Sequence, residues 1–230
     1  MHPQIITNAM GVFSKILKWV CILFFGSSIL AVAAYRFIPV YVTPLMIIRA
    51  VNPQGTETQQ QRERHWHHQW VPLSDMSRWM PRAVVASEDT RFYDHHGFDT
   101  VEIRKAIEES RSGGRNRGAS TISQQTVKNV FLWPGHSWIR KGLEAYFTVL
   151  VELMWPKERI LEVYLNSIEM GAGIYGAQAA AEHYFGVSAA RLTKRQCALI
   201  AVTLPAPLKR DPAHPSAYLS RRASAISRYM

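Results

Sequence analysis

From Trp19 to Tyr35 the chain reads WVCILFFGSSILAVAAY, seventeen residues without a charge. No other stretch restricts the fold as much. A segment this apolar must lie in a core or in lipid. As a helix it would extend about 26 Å, close to the ~30 Å hydrocarbon layer of a bilayer. Trp19 and Tyr35 stand at its ends, where interfacial aromatic side chains belong, and Lys15 and Lys18 precede it. Positive charge before a span favours a cytoplasmic N-terminus, although Arg36 on the far side works against that bias. The competing reading is a cleaved signal sequence, because Ala31-Val32-Ala33 resembles a cleavage site after a short apolar region. The anchor is preferred, since the run is long for a signal core and apolar sequence resumes from Phe37 to Val42. Under either reading the rest of the chain is expected outside the cytoplasmic membrane. A second apolar patch, Leu45-Met46-Ile47-Ile48 behind Pro44, is too short to span; it could lie on a membrane surface or cap a core.

The remainder has the composition of a folded domain. Of 230 residues, 47% are hydrophobic, enough for a packed core. Lys and Arg number 27 against 17 Asp and Glu, a net charge of +10. That balance points to an anionic partner: nucleic acid, an acidic membrane surface or a phosphorylated substrate. Cys21 and Cys197 are far apart in apolar surroundings, which excludes a disulfide framework and a zinc quartet; both are expected to be buried thiols. Val51 to Arg64 is polar and reads as a linker or exposed segment. His65, His67 and His68 have no spaced acidic ligand behind them, so they read as a packing segment with Trp66 and Trp70 rather than a metal site.

Helical signals dominate the rest. The spacing predicts a helix from Ser77 through Glu88, with Pro81 near its first turn, and a second from Asp99 to Ser110. Ser110 to Gly118 is a basic, glycine-rich loop, expected to be mobile. Thr121-Ile122-Ser123-Gln124 fits a capping box that opens a helix to Phe131. After the break at Trp133-Pro134-Gly135, a long helix is expected from Ser137 to about Met154. Pro156 starts another, with Ile160, Leu161, Tyr164 and Leu165 at helical spacing. Gly171-Ala172-Gly173 reads as a turn. Helices follow near Ala177–Tyr184 and Thr193–Thr203, the last stopped by Leu204-Pro205-Ala206-Pro207. No alternating strand pattern and no internal repeat is evident, so the fold class is all-α.

Three groups of residues could carry chemistry. Glu88 ends the apolar run AVVA, so its carboxylate should be partly desolvated, which raises a carboxyl pKa and suits a general base or acid; the plain alternative is an acid fraying off a helix end. Arg140, Lys141 and Glu144 share a helical face, commonly no more than a surface ion pair. Yet base before acid is the weaker order for helix support. Thr121, Gln125 and Lys128 form one helical stripe with Ser120 and Gln124 beside it. That is either a phosphate-binding surface at a helix N-terminus or the solvated face of an amphipathic helix. Two carboxylates flanking a sugar suggest glycosidic chemistry. Lys128, Arg140 and Lys141 beside them shift that from hydrolysis toward glycosyl transfer from a pyrophosphate, whose departure needs cations.

At this point four ordered stretches resemble the motifs of the peptidoglycan glycosyltransferases, specifically the monofunctional biosynthetic transglycosylases that share a catalytic domain with class A penicillin-binding proteins. EDTRFYDHHG, from Glu88 to Gly97, is similar to E-D-x-x-F-x-x-H-x-G. GASTISQQTVKN, from Gly118 to Asn129, is similar to the second motif. RKGLE, from Arg140 to Glu144, is similar to R-K-x-x-E, and KERILEVYLN, from Lys157 to Asn166, to K-x-x-I-L-E-x-Y-L-N. The resemblance covers roughly Trp70 to Pro207. It implies a lysozyme-like helical fold and this division of the chain: a cytoplasmic tail (1–18), a single membrane anchor (19–38), a membrane-proximal linker or jaw segment (39–69) and a periplasmic glycosyltransferase domain (70–230) at the bacterial inner membrane. It implies lipid II as substrate, with the growing glycan on undecaprenyl pyrophosphate as donor. Glu88 would deprotonate the acceptor 4-hydroxyl, with inversion at the anomeric centre. Glu144 would assist near the pyrophosphate, where a Mg or Mn ion is an option rather than a requirement. Substrate would be held by Asp89, Ser120, Thr121, Gln124, Gln125, Lys128, Arg140, Lys141 and His136. Asp89, His95 and Gly97 would also shape the turn that presents Glu88.

Two residues depart from the pattern. His136 stands where an Arg is usual, so activity is expected to lean on an imidazolium there and fall as pH rises through its titration. Gln196 replaces an acidic residue at a helix start, an effect expected only on capping or packing. No Ser-x-x-Lys or Lys-Thr-Gly occurs, so no transpeptidase activity is expected. Cell-wall synthesis or division proteins are the implied partners. The alternatives are a lysozyme-like enzyme that cleaves glycan and a non-enzymatic anchored binding protein; the apolar run and dispersed basic residues argue against nucleic acid.

Overall fold

The computed structural model describes residues 3–113, 118–135 and 137–230, with side chains from Ser14 onward. The chain forms two units, residues 1–38 and 39–230. The first is helix α1 (Pro3–Tyr35), in which Ser14–Tyr35 is long and apolar enough to cross a membrane. Cys21 is exposed on it, contrary to the expectation of a buried thiol, because the residues around it are themselves exposed; Cys197 is buried as expected.

The second unit is helical, and its helix starts follow local signals. Thr43 accepts the Met46 N–H at 3.3 Å, with Pro44 in the first turn, to open α2 (Pro44–Val51). Thr56 and Gln59 form a capping box for α3 (Glu57–Arg64). Of the two readings of the polar stretch before His65, the linker fails, since α3 is a capped helix, and the exposed segment holds, since most of α3 is exposed. Glu63, on its inner face, is fully buried and accepts the Gln54 N–H at 2.6 Å. Helix α4 (Trp79–Glu88) carries Pro81 in its first turn, and Asp99 caps α5 (Thr100–Arg111) through the Val101 and Glu102 amides, both at 3.0 Å. The expected capping box opens α6 (Ile122–Phe131), Ser137 caps α7 (Trp138–Met154) and Pro156 precedes α8 (Lys157–Ser167). Helix α9 (Gly176–Phe185) stops at left-handed Gly186, and a Thr193–Gln196 box opens α10 (Lys194–Thr203), so Gln196 does serve as a cap. Helix α11 (Ala217–Ile226) is a further helix that the sequence reading did not include.

One small sheet also escaped that reading. Strand β3 (Ile174–Tyr175) lies between β1 (His67–His68), parallel to it, and β2 (Glu169–Gly171), antiparallel to it. Strands of two or three residues cannot display an alternating pattern.

Helix α6 sits at the centre, packed against α7 and α8, while α4 and α11 pack on α10. Side chains Ile160, Leu161, Val163 and Leu165 of α8 are essentially unexposed. Each such burial stabilises by about 1.5–3 kcal/mol. Asn166, at the end of α8, accepts the Val71 N–H at 2.8 Å and donates to the Val71 carbonyl at 2.9 Å, and Glu162 accepts the Leu73 N–H at 3.0 Å. These bonds dock the segment that leads into α4, and so fix where Glu88 emerges.

Candidate active site

Helix α4 ends at Glu88 because Asp89 leaves helical geometry, with φ −160°. The Asp89 carboxylate turns inward. It accepts from His95 Nε2 at 2.9 and 3.1 Å and from the Ile122 N–H, the first amide of α6, at 3.0 Å. His95 Nδ1 accepts the Gly97 N–H at 3.2 Å, which assigns its proton to Nε2. The Thr121 hydroxyl donates to the Gly97 carbonyl at 2.6 Å. Gly97 has φ +85°, and a Cβ there would lie 2.6 Å from Thr148 Cγ2, so both backbone and space require glycine. These bonds tie the end of α4 to the start of α6.

They also bear on the acid- and histidine-rich stretch around Glu88. Asp89, His95 and Asp99 bring possible ligand atoms within 4.8 Å of one another. Both His95 nitrogens and the Asp89 carboxylate are already committed to hydrogen bonds, and Asp99 is committed to the cap of α5. Asp89 and His95 form a hydrogen-bonded knot and Asp99 serves α5, so the three are not a vacant ligand set.

Glu88, one residue ahead of the knot, faces a cavity of about 610 Å³. Its carboxylate accepts from Gln125 Nε2 and Ser87 Oγ, each at 3.3 Å. Burial pushes its pKa above the ordinary carboxylate range; those two bonds and the charges of Arg222 and Arg210 offset this only in part. Gln125 cannot turn its amide around freely, because its Oε1 accepts the hydroxyl of fully buried Tyr164 at 3.1 Å. Burial, with Glu88 and Asp89 nearby, holds the Tyr164 hydroxyl protonated, so it remains a donor.

A second cavity, of about 570 Å³, adjoins the first; Ser120, Gln125 and Pro205 line both. Lys128, Arg140, Lys141 and Glu144 are in its wall, as is Gln124. Arg140 Nη1 lies 3.2 Å from Glu144 Oε2, and Lys141 Nζ contacts Oε1. Arg140 and Glu144 are only 7% and 3% exposed, so this is no surface ion pair. Lys128 remains accessible, yet the surrounding protein lowers its ammonium pKa; Arg140 and Lys141 add to that while Glu144 and Glu169 oppose it. The two cavities differ in sign. The first is lined by Glu88, Asp89, Asp99, Glu102 and Glu109 against Arg222; the second holds Arg49, Lys128, Arg140 and Lys141 against Glu144 and Glu169. An anionic group belongs in the second, across Gln125 from Glu88.

A divalent cation fits this second cavity poorly. Such ions take several oxygen ligands, whereas both oxygens of Glu144 are engaged by cations.

The sequence-predicted residues thus assemble around two adjoining cavities, with different commitments. Glu88, Ser120, Gln125, Lys128, Arg140, Lys141 and Glu144 line them. Thr121 and Gln124 do so as well, but each spends hydrogen bonds on the capping box, and Asp89 on the knot. The predicted stripe on α6 is only partly solvated: Thr121 and Gln124 are buried and Gln125 is partly so, while Ser120 and Lys128 are exposed. His136 lies outside the described residues, as does part of the glycine-rich loop. Sequence reasoning missed Tyr164, whose helical spacing announced only an apolar position, and Arg49, Glu169 and Arg222, which carried no local signal.

A family model described as "Transglycosylase" matches residues 54–230. The chain belongs to the transglycosylase family. A protein named "Biosynthetic peptidoglycan transglycosylase" from Bacteroides thetaiotaomicron is 57% identical over 219 residues, covering 94% of this chain and 87% of that protein. Proteins of the same name from Caulobacter vibrioides and Bdellovibrio bacteriovorus are 53% and 49% identical, over 87% and 91% of this chain and 83% of each relative.

Proposed function

We propose that this transglycosylase polymerises lipid II into peptidoglycan glycan strands. The observation that carries the reading is a desolvated carboxylate, Glu88, set across Gln125 from a cavity rich in cations. The growing strand, on its undecaprenyl pyrophosphate, occupies the cationic cavity as donor, and lipid II occupies the Glu88 cavity as acceptor. Glu88 takes the proton of the acceptor 4-hydroxyl as that oxygen bonds to the donor's anomeric carbon. The bond from that carbon to the pyrophosphate oxygen breaks, with inversion, and the electron pair leaves on the pyrophosphate. Lys128, Arg140 and Lys141 stabilise the departing charge. Glu144 holds Arg140 and Lys141 in place.

In this reading α1 anchors the protein in the bacterial inner membrane, with its N-terminus cytoplasmic and the catalytic unit periplasmic. The 39–69 segment lies nearest the lipid, in keeping with the exposed Ile47 and Val51 on α2. Partners would come from cell-wall synthesis or division. The test is incubation of the purified chain with labelled lipid II and, separately, with preformed glycan. Polymer with released undecaprenyl pyrophosphate, and intact preformed glycan, is expected. Cleavage of preformed glycan without polymer would establish a hydrolase instead.

A further inference from the structure

Arg49 lies on α2, ahead of the segment that the family model matches, yet it lines the cationic cavity with Lys128, Arg140 and Lys141. Its side chain is 15% exposed and is held by one ion pair among the described residues, Nε to Glu169 Oε1 at 3.4 Å. That distance is not accompanied by hydrogen-bond geometry, and Nε is buried without a hydrogen-bond partner. A guanidinium carries five N–H donors in a planar fork suited to phosphate. With Nε turned to Glu169, the two terminal amino groups remain for a ligand. Glu169 is itself fixed: it belongs to β2, paired opposite Tyr175 of β3, whose hydroxyl donates to Glu169 Oε1 at 3.5 Å. Burial raises the Glu169 pKa, Glu63 adds to this and Arg49 opposes it. The carboxylate therefore depends on Arg49 for its charge partner, and Arg49 depends on it for orientation.

We propose that Arg49 is a further pyrophosphate-binding cation of this cavity, and that Glu169 is the positioning residue that aims its terminal amino groups at the phosphate oxygens. This rests on the reading of the cavity as the pyrophosphate site. It extends the site to a helix on the N-terminal side of the motifs.

The test uses the full chain in detergent micelles and compares affinity for undecaprenyl pyrophosphate with that for undecaprenol. Wild type should prefer the pyrophosphate. Arg49→Ala should lose about tenfold or more of pyrophosphate affinity, as expected for lost charge-assisted hydrogen bonds, with undecaprenol affinity unchanged. Arg49→Lys should recover part of the loss. Glu169→Gln should weaken pyrophosphate binding in the wild-type background but add little to Arg49→Ala, since its effect runs through that side chain. Arg195→Ala, which removes an exposed charge elsewhere, should change neither affinity. An Arg49→Ala protein that binds both lipids less well in equal measure, with a lower thermal midpoint, would make Arg49 a structural strut and overturn the proposal. So would a full preference for pyrophosphate in Arg49→Ala. A wild type with no such preference would overturn the reading of the cavity itself.

Discussion

Asp89→Ala should damage this fold far more than loss of a surface carboxylate. Asp89 is 7% exposed and accepts from two donors, His95 Nε2 and the Ile122 N–H. Alanine leaves both donors buried and unpaired. Each costs about 1–3 kcal/mol, so the pair costs on the order of 2–6 kcal/mol. Taking about 4 kcal/mol, and about 2–4 °C per kcal/mol for a protein of this size, the thermal midpoint should fall by about 8–16 °C. Asn keeps one acceptor oxygen but turns an NH2 toward the other donor, so it should cost roughly half as much. Thermal melts of the full chain in detergent measure this directly. A double-mutant cycle with His95→Ala isolates the pair: removing the orphaned imidazole should relieve about 1–3 kcal/mol, making the double variant milder than the sum. Polymerisation should also fall at temperatures where Asp89→Ala is still folded, because the knot holds Glu88 against Gln125. Strict additivity with His95→Ala, or a midpoint shift under about 2 °C, would refute this account of the knot.

Arg140 and Lys141 should separate in their effects. Arg140→Ala leaves Glu144 Oε2 buried without its donor while Lys141 still pairs with Oε1, and should destabilise by about 1–3 kcal/mol in denaturant titrations, whereas Lys141, half exposed, should cost under about 1 kcal/mol while still slowing turnover. Gly97→Ala forces a side chain into left-handed backbone and against Thr148, and should lower the thermal midpoint by several degrees, as expected for a loss of about 1–3 kcal/mol. The raised Glu88 pKa has two pH signatures. A base must be ionised, so polymerisation should fail on acidification at a higher pH than an ordinary glutamate would give. For stability, folding favours the protonated form: the penalty is absent below the unfolded pKa and complete above the folded one. Glu88→Gln should therefore stabilise the fold at neutral pH and lose that advantage in acid, as melts across pH would show.

What the sequence revealed and what it concealed divide along physical lines. The capping box at Thr121 was legible because such a cap is read within four residues, whereas at Thr193, Asp99 and Ser137 only the helix starts were read and the caps themselves came from the structure. A capping-box signal at Thr56 was present as well, but the polar composition around it suggested a linker or an exposed segment; the stretch is a largely exposed helix that packs through buried Glu63. Spacing placed Arg140 and Glu144 on one face correctly, yet could not distinguish a surface pair from a buried one, since that depends on what packs above the helix. The three strands were too short to show a period. The Arg49–Glu169 contact joins α2 to β2 across about half of the chain, and nothing local to either residue announces it.

The central claim is that Glu88 carries the proton transfer, and turnover of labelled lipid II by wild type and Glu88→Gln tests it most directly. The amide preserves size and a hydrogen bond to Gln125 but cannot accept the acceptor's proton. Wild type should make polymer, and Glu88→Gln should remain folded and bind lipid II while making essentially none. Polymer formed at the wild-type rate by Glu88→Gln would contradict the account.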